Sequence, residues 1–342
     1  MNLDRKFIDS LPKAELHLHL EGTLEPAHFL ALAKRNNIEI PYRTVADVKR
    51  AYRFGNLQEF LDIYYRGSRV LVQERDFFEL TWAYLERARA ENIRHVEVFF
   101  DPQAHTSRGV HFDTVLSGIA EALEKGAREL GISSRLIMCF LRDLNLASAF
   151  EALEQACEHK DRISAVGLDS AEAGYRPGKF KDLFDLAKAE GFRTVAHAGE
   201  DGPPSNILEA IDILGIERID HGIACIEDDG LMTRLAEMKM PLTVCPLSNV
   251  KLGMVERMQD HPLRAMLESG LMVTVNSDDP AYFGGYLNEN YWLAATALNL
   301  SQAQIYRLAR NSFQASFLDH ARKAEILSEL DAHAGNRSIG TG

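Results

Sequence analysis

Four short segments, far apart in the chain, carry side chains able to hold a metal ion. They are His17-Leu18-His19, His197-Ala198-Gly199-Glu200, Asp220-His221-Gly222 and Ser277-Asp278-Asp279-Pro280. Three imidazoles and one carboxylate suit a divalent ion, zinc above all, that keeps one position open for water. Glu200 and His221 stand beside this set as an acid and a base. The combination points to metal-assisted hydrolysis.

Each segment has a plain alternative. A lone H-x-H is a weak signal, but on a strand residues i and i+2 face the same side, so His17 and His19 can reach one ion. His197 reads as a further ligand. Glu200, three residues on, reads as a proton donor, because a carboxyl in a half-enclosed pocket has a raised pKa. Alone it would be a solvated loop residue. Asp278 can bind the metal while Asp279 accepts a hydrogen bond from substrate; an Asp ahead of Pro280 also suits a helix N-cap. His221 fits either a fourth nitrogen ligand or a base beside the activated water, and the second role is favoured.

The elements that must position these residues are legible as alternating strands and helices. Eight apolar or β-branched runs read as strands: 14–20, 95–100, 135–141, 163–169, 193–199, 218–223, 241–247 and 272–278. Helical spacing recurs between them, as in 112–130, 147–159, 180–190, 207–214 and 229–238. Alternation of this kind implies parallel βα units, and eight of them imply a closed (β/α)8 barrel. The candidate ligands fall at strand ends, where such barrels build their sites. The long stretch between the first two strands holds the helical patterns 26–36, 57–72 and 76–92. It is expected to form a helical cap, residues 21–94, over the barrel mouth. Helices are also expected at 287–298 and 301–316. One metal-dependent hydrolase domain is expected over residues 1–333, with a polar, glycine-rich, flexible tail at 334–342.

Bulk properties narrow the function. The 342 residues carry a formal net charge of −12, which disfavours a phosphate backbone as partner. A small neutral or cationic substrate fits better. Cys139, Cys157, Cys225 and Cys245 form no C-x-x-C pair, so reduced thiols in a cytoplasmic protein are expected. No secretory signal or membrane-length apolar run is present. There is no Lys in 166–172 to bridge two metals, so one ion is expected. The H-x-E…P-C-x-x-C, P-loop and G-x-G-x-x-G patterns are absent.

Five ordered segments, Leu11 to Gly22, Ala196 to Glu200, Ile219 to Gly222, Cys245 to Asn249 and Asn276 to Pro280, resemble the adenosine/adenine deaminase family of the amidohydrolase superfamily. The resemblance implies that His17, His19, His197 and Asp278 bind one zinc per subunit and that Glu200 protonates purine N1. It implies that His221 assists the hydroxide attacking C6 and that Asp279 hydrogen-bonds toward N7. Nucleoside deaminases of the family tend to have Gly where this chain has Glu172, and an Asp where it has Glu21. The Ser170-Ala171-Glu172 version looks like the adenine branch. A carboxylate at Glu172 would accept the N9–H that only a free base carries, and would crowd a ribose. The resemblance thus implies conversion of adenine to hypoxanthine and ammonia in purine salvage. Adenosine or N6-modified adenine as substrate, and more remotely a non-catalytic purine- or metal-binding barrel, remain the alternatives. Assembly into a homo-oligomer is left open.

Overall fold

The computed structural model describes residues 4–335. Eight parallel strands follow one another around a barrel: β1 (Lys13–Glu15), β2 (Ile93–Phe100), β3 (Ser133–Leu141), β4 (Ile163–Asp169), β5 (Arg193–Ala198), β6 (Arg218–His221), β7 (Pro241–Val244) and β8 (Met272–Val275). Each strand pairs only with its sequence neighbours, and helices fill the connections, as the alternation predicts. β1 and β8 are shorter than their apolar runs. Past Glu15 and Val275 the chains close the seam with single contacts instead of a continuous ladder. His19 N–H donates to the Asp278 carbonyl (3.1 Å) and Asp278 N–H to the His17 carbonyl (3.2 Å). The same turn points His17, His19 and Asp278 at the barrel mouth.

Apolar residues sort into three groups. The largest joins the strands' outer faces to the helices, with Val96, Val98, Leu136, Met138, Val166 and Val244 fully buried. A second, inside the barrel, stacks Phe99, Ile137, Cys139, Ala165 and Val195 on Phe317 from the C-terminal segment. The third, over the mouth, includes Leu57, Phe60, Leu61, Tyr64, Leu252 and Phe283. Buried strands with apolar side chains on both faces are the expected signature of a parallel barrel.

Helix α1 (Arg5–Ser10) precedes the barrel, and the long β1–β2 connection holds α2 (Pro26–Arg35), α3 (Val45–Ala51), α4 (Leu57–Ser68) and α5 (Glu74–Ala90). The short α1 and α3 carry too little periodicity to show in sequence. The capping box of Thr44 and Asp47 holds α3 in place. α5 packs against the helix Phe112–Glu129 as an ordinary member of the outer ring. The part of the insertion that reaches over the mouth is α4, whose Leu57, Phe60, Leu61, Tyr64 and Tyr65 face the cavity. A final helix, His320–Gly335, was not expected, and the proposed tail lies outside the described residues from 336 onward.

All four cysteines are unpaired. Among the described residues no helix is long and apolar enough to cross a membrane.

Candidate active site

The strand ends converge on a cavity with an empty volume of about 370 Å³ that opens to solvent. His19, His197, Glu200, His221, Asp278 and Asp279 line its floor, and Asp101, Asp169 and Ser170 one wall. Leu57, Phe60, Tyr64, Leu252 and Phe283 supply flat apolar surface above. Such a mixture, a polar floor under apolar and aromatic walls, suits a small planar ligand.

The floor is built like a cation site. One ligand atom from each of His17, His197, His221 and Asp278 lies within 4.8 Å of every other. His17 Nε2 is 3.2 Å from Asp278 Oδ1. His19 Nε2 lies 3.1 Å from His197 Nε2 and 3.6 Å from Asp278 Oδ1. The buried Nε2 of His17 has no hydrogen-bond partner among the described residues. Imidazole nitrogens crowded around a carboxylate, one of them orphaned, are the arrangement that a shared cation satisfies. Burial lowers the His19 pKa to about 4 and drives those of His197 and His221 well below the usual value, so their lone pairs are free to ligate.

Carboxylates stand behind these imidazole rings. Asp220 Oδ1 is 3.8 Å from His17 Nδ1, and its Oδ2 is 3.7 Å from His197 Nδ1. Thr243 Oγ1 also lies 2.9 Å from His17 Nδ1, while Asp169 Oδ2 is 3.6 Å from His19 Nδ1. Such partners orient rings and fix tautomers. The sequence reading quoted Asp220 without a role and missed Asp169, Asp101, Tyr64 and Tyr65. Asp169 ends β4 and Asp101 follows β2, so the strand-end rule that found the ligands could have found both.

The backbone bends sharply at the same place. Ser170, His221 and Asp278 adopt left-handed φ values of 68°, 63° and 65° just past β4, at the end of β6 and past β8. Non-glycine residues held there cost energy and cluster at functional sites. Gly22 explains another close approach: a Cβ there would lie 2.0 Å from Asp279 Oδ1.

Glu200 and Asp279 are both buried carboxyls. Burial, then the nearby Asp278 charge, pushes each pKa well above the usual range, which favours the protonated form. Glu200 Oε1 is 3.5 Å from His221 Nε2. Asp279 Oδ1 has no partner among the described residues. Ser170 lines the cavity and accepts a hydrogen bond from the Tyr65 hydroxyl (3.1 Å). Glu21 faces away, taking His105 Nε2 (2.7 Å) and the Asp101 N–H (3.3 Å) on Oε1.

Glu172 is expected at the purine edge, and the structure places its carboxylate elsewhere. Its Oε1 accepts from Gly199 N–H (2.8 Å) and Asn206 Nδ2 (2.8 Å), and its Oε2 from Glu200 N–H (3.0 Å) and Gly202 N–H (3.1 Å). A carboxylate has about four lone-pair sites, and all are taken. Nothing remains to read N9–H, and the side chain lies under the β5 loop, outside the cavity lining.

A (β/α)8 barrel with an imidazole–carboxylate cluster and a buried carboxyl of raised pKa at its C-terminal rim has the build of a metal-dependent hydrolase. The adenosine deaminase family model matches residues 12–333, and the chain belongs to that family. It is 54% identical to the adenine deaminase of Crocosphaera subtropica over 94% of this chain and 99% of that one. The adenine deaminase of Pseudomonas putida is 55% identical, over 91% of this chain and 99% of its own. The crystal structure of adenine deaminase from Arthrobacter aurescens superposes with a TM-score of 0.93 at 50% identity, covering 94% and 98% of the two chains. An amidohydrolase from Burkholderia ambifaria with bound zinc gives 0.89 at 28% identity, covering 98% and 96%.

Proposed function

We infer that this protein hydrolyses adenine to hypoxanthine and ammonia. The observation that carries this reading is identity of 49–55% to adenine deaminases across nearly the whole chain. We assign one zinc ion to each subunit, held by His17, His19, His197 and Asp278; the crowded nitrogens and the orphaned His17 Nε2 support that donor set. The chemistry such an ion supplies is Lewis-acid activation of water near neutral pH.

The remaining work belongs to side chains. Glu200, protonated in its buried setting, gives its proton to N1 and makes C6 electrophilic. Asp279, also protonated, donates to N7 and fixes the ring's orientation. His221, its imidazole neutral, takes a proton from the incoming water. Ser170 offers a hydroxyl to the purine edge. The apolar walls from α4 and Phe283 cover the ring faces and exclude bulk water. Overall, water adds to C6 and ammonia leaves with the original amino nitrogen. We take residues 1–333 as one hydrolase domain, with α4 as the working part of its cap.

The test is an ultraviolet assay of the zinc-loaded protein on adenine and adenosine in parallel. Loss of adenine absorbance with little change in adenosine is expected. Faster turnover of adenosine would overturn the free-base assignment and leave the hydrolytic chemistry standing.

A further inference from the structure

We propose that Glu172 is a positioning residue, a carboxylate clamp that holds the β5 loop so that Glu200 presents its acid to the purine. The inference rests on the reading of Glu200 as the proton donor.

Three features of the contacts carry it. First, the four hydrogen bonds that the Glu172 carboxylate accepts come from one short segment, the loop after β5 and the first turn of the helix Pro204–Glu209 that follows it, and one of them comes from the backbone N–H of Glu200 itself. Second, the loop's glycines are shaped to it. Gly199 takes φ +70°, and a Cβ on Gly202 would lie 2.4 Å from Glu172 Oε1. Only glycine lets the backbone come so close. Third, the clamp stands on a rigid base. Arg142, fully buried, donates to the carbonyls of Leu168, Asp169 and His197, fastening the end of β4 to the end of β5.

The chemistry explains why a carboxylate stands here. Four converging donors need four acceptor lone pairs and no donor. Glutamine would turn an NH₂ toward two of those N–H groups, and alanine would leave all four unpaired in a buried place. Either change lets the loop move, and Glu200 with it. Misplacement of a catalytic group by about 1 Å can cost about 100-fold in rate.

The experiment is a double-mutant cycle on the zinc-loaded enzyme, using Glu172→Gln, Glu200→Gln and the pair, with amide hydrogen exchange of residues 199–206. Glu172→Gln is expected to lower kcat about 10- to 100-fold while KM for adenine moves less than about threefold. In the Glu200→Gln background the same change is expected to cost less than about twofold, because the group it positions is already disabled. Exchange at Gly199, Glu200 and Gly202 is expected to quicken. Full additivity in the cycle, or a rise in KM with kcat unchanged and new turnover of adenosine, would overturn the clamp; the latter would make Glu172 a substrate contact. Should Glu172→Gln fail to fold, Gly202→Ala pushes the same carboxylate off the loop with its charge intact, and the cycle is repeated with it. If adenosine proves the substrate, the cycle is run on adenosine, so a failure of the substrate assignment and a failure of the clamp are read separately.

Discussion

The two ends of the barrel hold buried polar clusters of opposite character. At the N-terminal end Glu97 accepts from Arg218, from His95 Nε2 (3.1 Å) and from the Phe317 N–H, and Arg218 also donates to the Leu16 carbonyl (3.0 Å). Arg193 and Arg218 lie over the Phe317 ring. Charges there are matched, and the Glu97 pKa is held down at about 2: burial pushes it up, but Arg218 and His95 outweigh that. At the C-terminal end polar atoms of His17, His197, His221, Asp101, Asp169 and Asp279 lack hydrogen-bond partners among the described residues, and the Glu200, Asp279 and Asp101 carboxyls are pushed up by burial. A largely paired buried network, in which Arg218 Nε alone among these groups has no hydrogen-bond partner among the described residues, serves the fold, whereas one with many open valences is held ready for a ligand.

Removing the ion would test this contrast most severely. Chelation should abolish adenine turnover and lower the melting temperature, and zinc should restore both, because an ion that binds only the folded state at 100 times its Kd adds about 2.7 kcal/mol. Glu200→Gln comes next. It should cut kcat by about 10²–10⁴ with zinc content and melting temperature close to wild type. At the opposite end Glu97→Ala should do the reverse. Leaving Arg218 buried without its partner should cost about 3–5 kcal/mol in chemical denaturation while KM of the folded enzyme is unchanged. If Glu200→Gln unfolds the protein, or Glu97→Ala leaves its stability intact, the division of labour between the ends fails.

Acid should separate the ends in the wild type as well. The folded pKa of Glu97, about 2, lies below its ordinary value of 4.5. Its contribution to stability is therefore fully present above pH 4.5 and is lost as pH falls from there toward 2. Glu200 has the opposite sign for activity. Its raised pKa favours the acid form, and turnover should fall as pH climbs through that pKa, while the Glu97 contribution to stability stays constant between pH 5 and 8. Stability and kcat profiles that moved together would contradict this assignment.

What could be read from sequence depended on how local the signal was. The eight strands and most ring helices announced themselves through periodicity, and 229–238 matched its helix to the residue. Metal-ligand candidates were legible because strand ends place them by rule, and His17 and His19 needed only i, i+2 spacing. The contacts of Glu172 are not legible in the sequence because they depend on where four donors from 199–206 arrive, which no local pattern encodes. Asp220 and Asp169 were passed over for a related reason: a carboxylate behind a ring is recognisable only once the ring's direction is known. The seam between β1 and β8 was read as two long strands, since apolar composition does not reveal where a ladder gives way to single bridges.

The smallest predicted effect falls at the mouth. The Tyr64 hydroxyl donates to Asp101 Oδ2 over 3.4 Å, a long bond, while Asp101 Oδ1 already goes without a partner. Removing a weak neutral donor from a group that tolerates an open lone pair should cost under about 1 kcal/mol. Tyr64→Phe should thus change kcat/KM less than about fivefold and leave the unfolding midpoint within error. The Phe ring still covers the cavity, so the change isolates the hydroxyl. A loss as large as that of Glu97→Ala would mean that the mouth, like the base, is a network whose every bond is needed. A small loss would show that the polar groups around the cavity keep their unfilled valences for the substrate and not for one another.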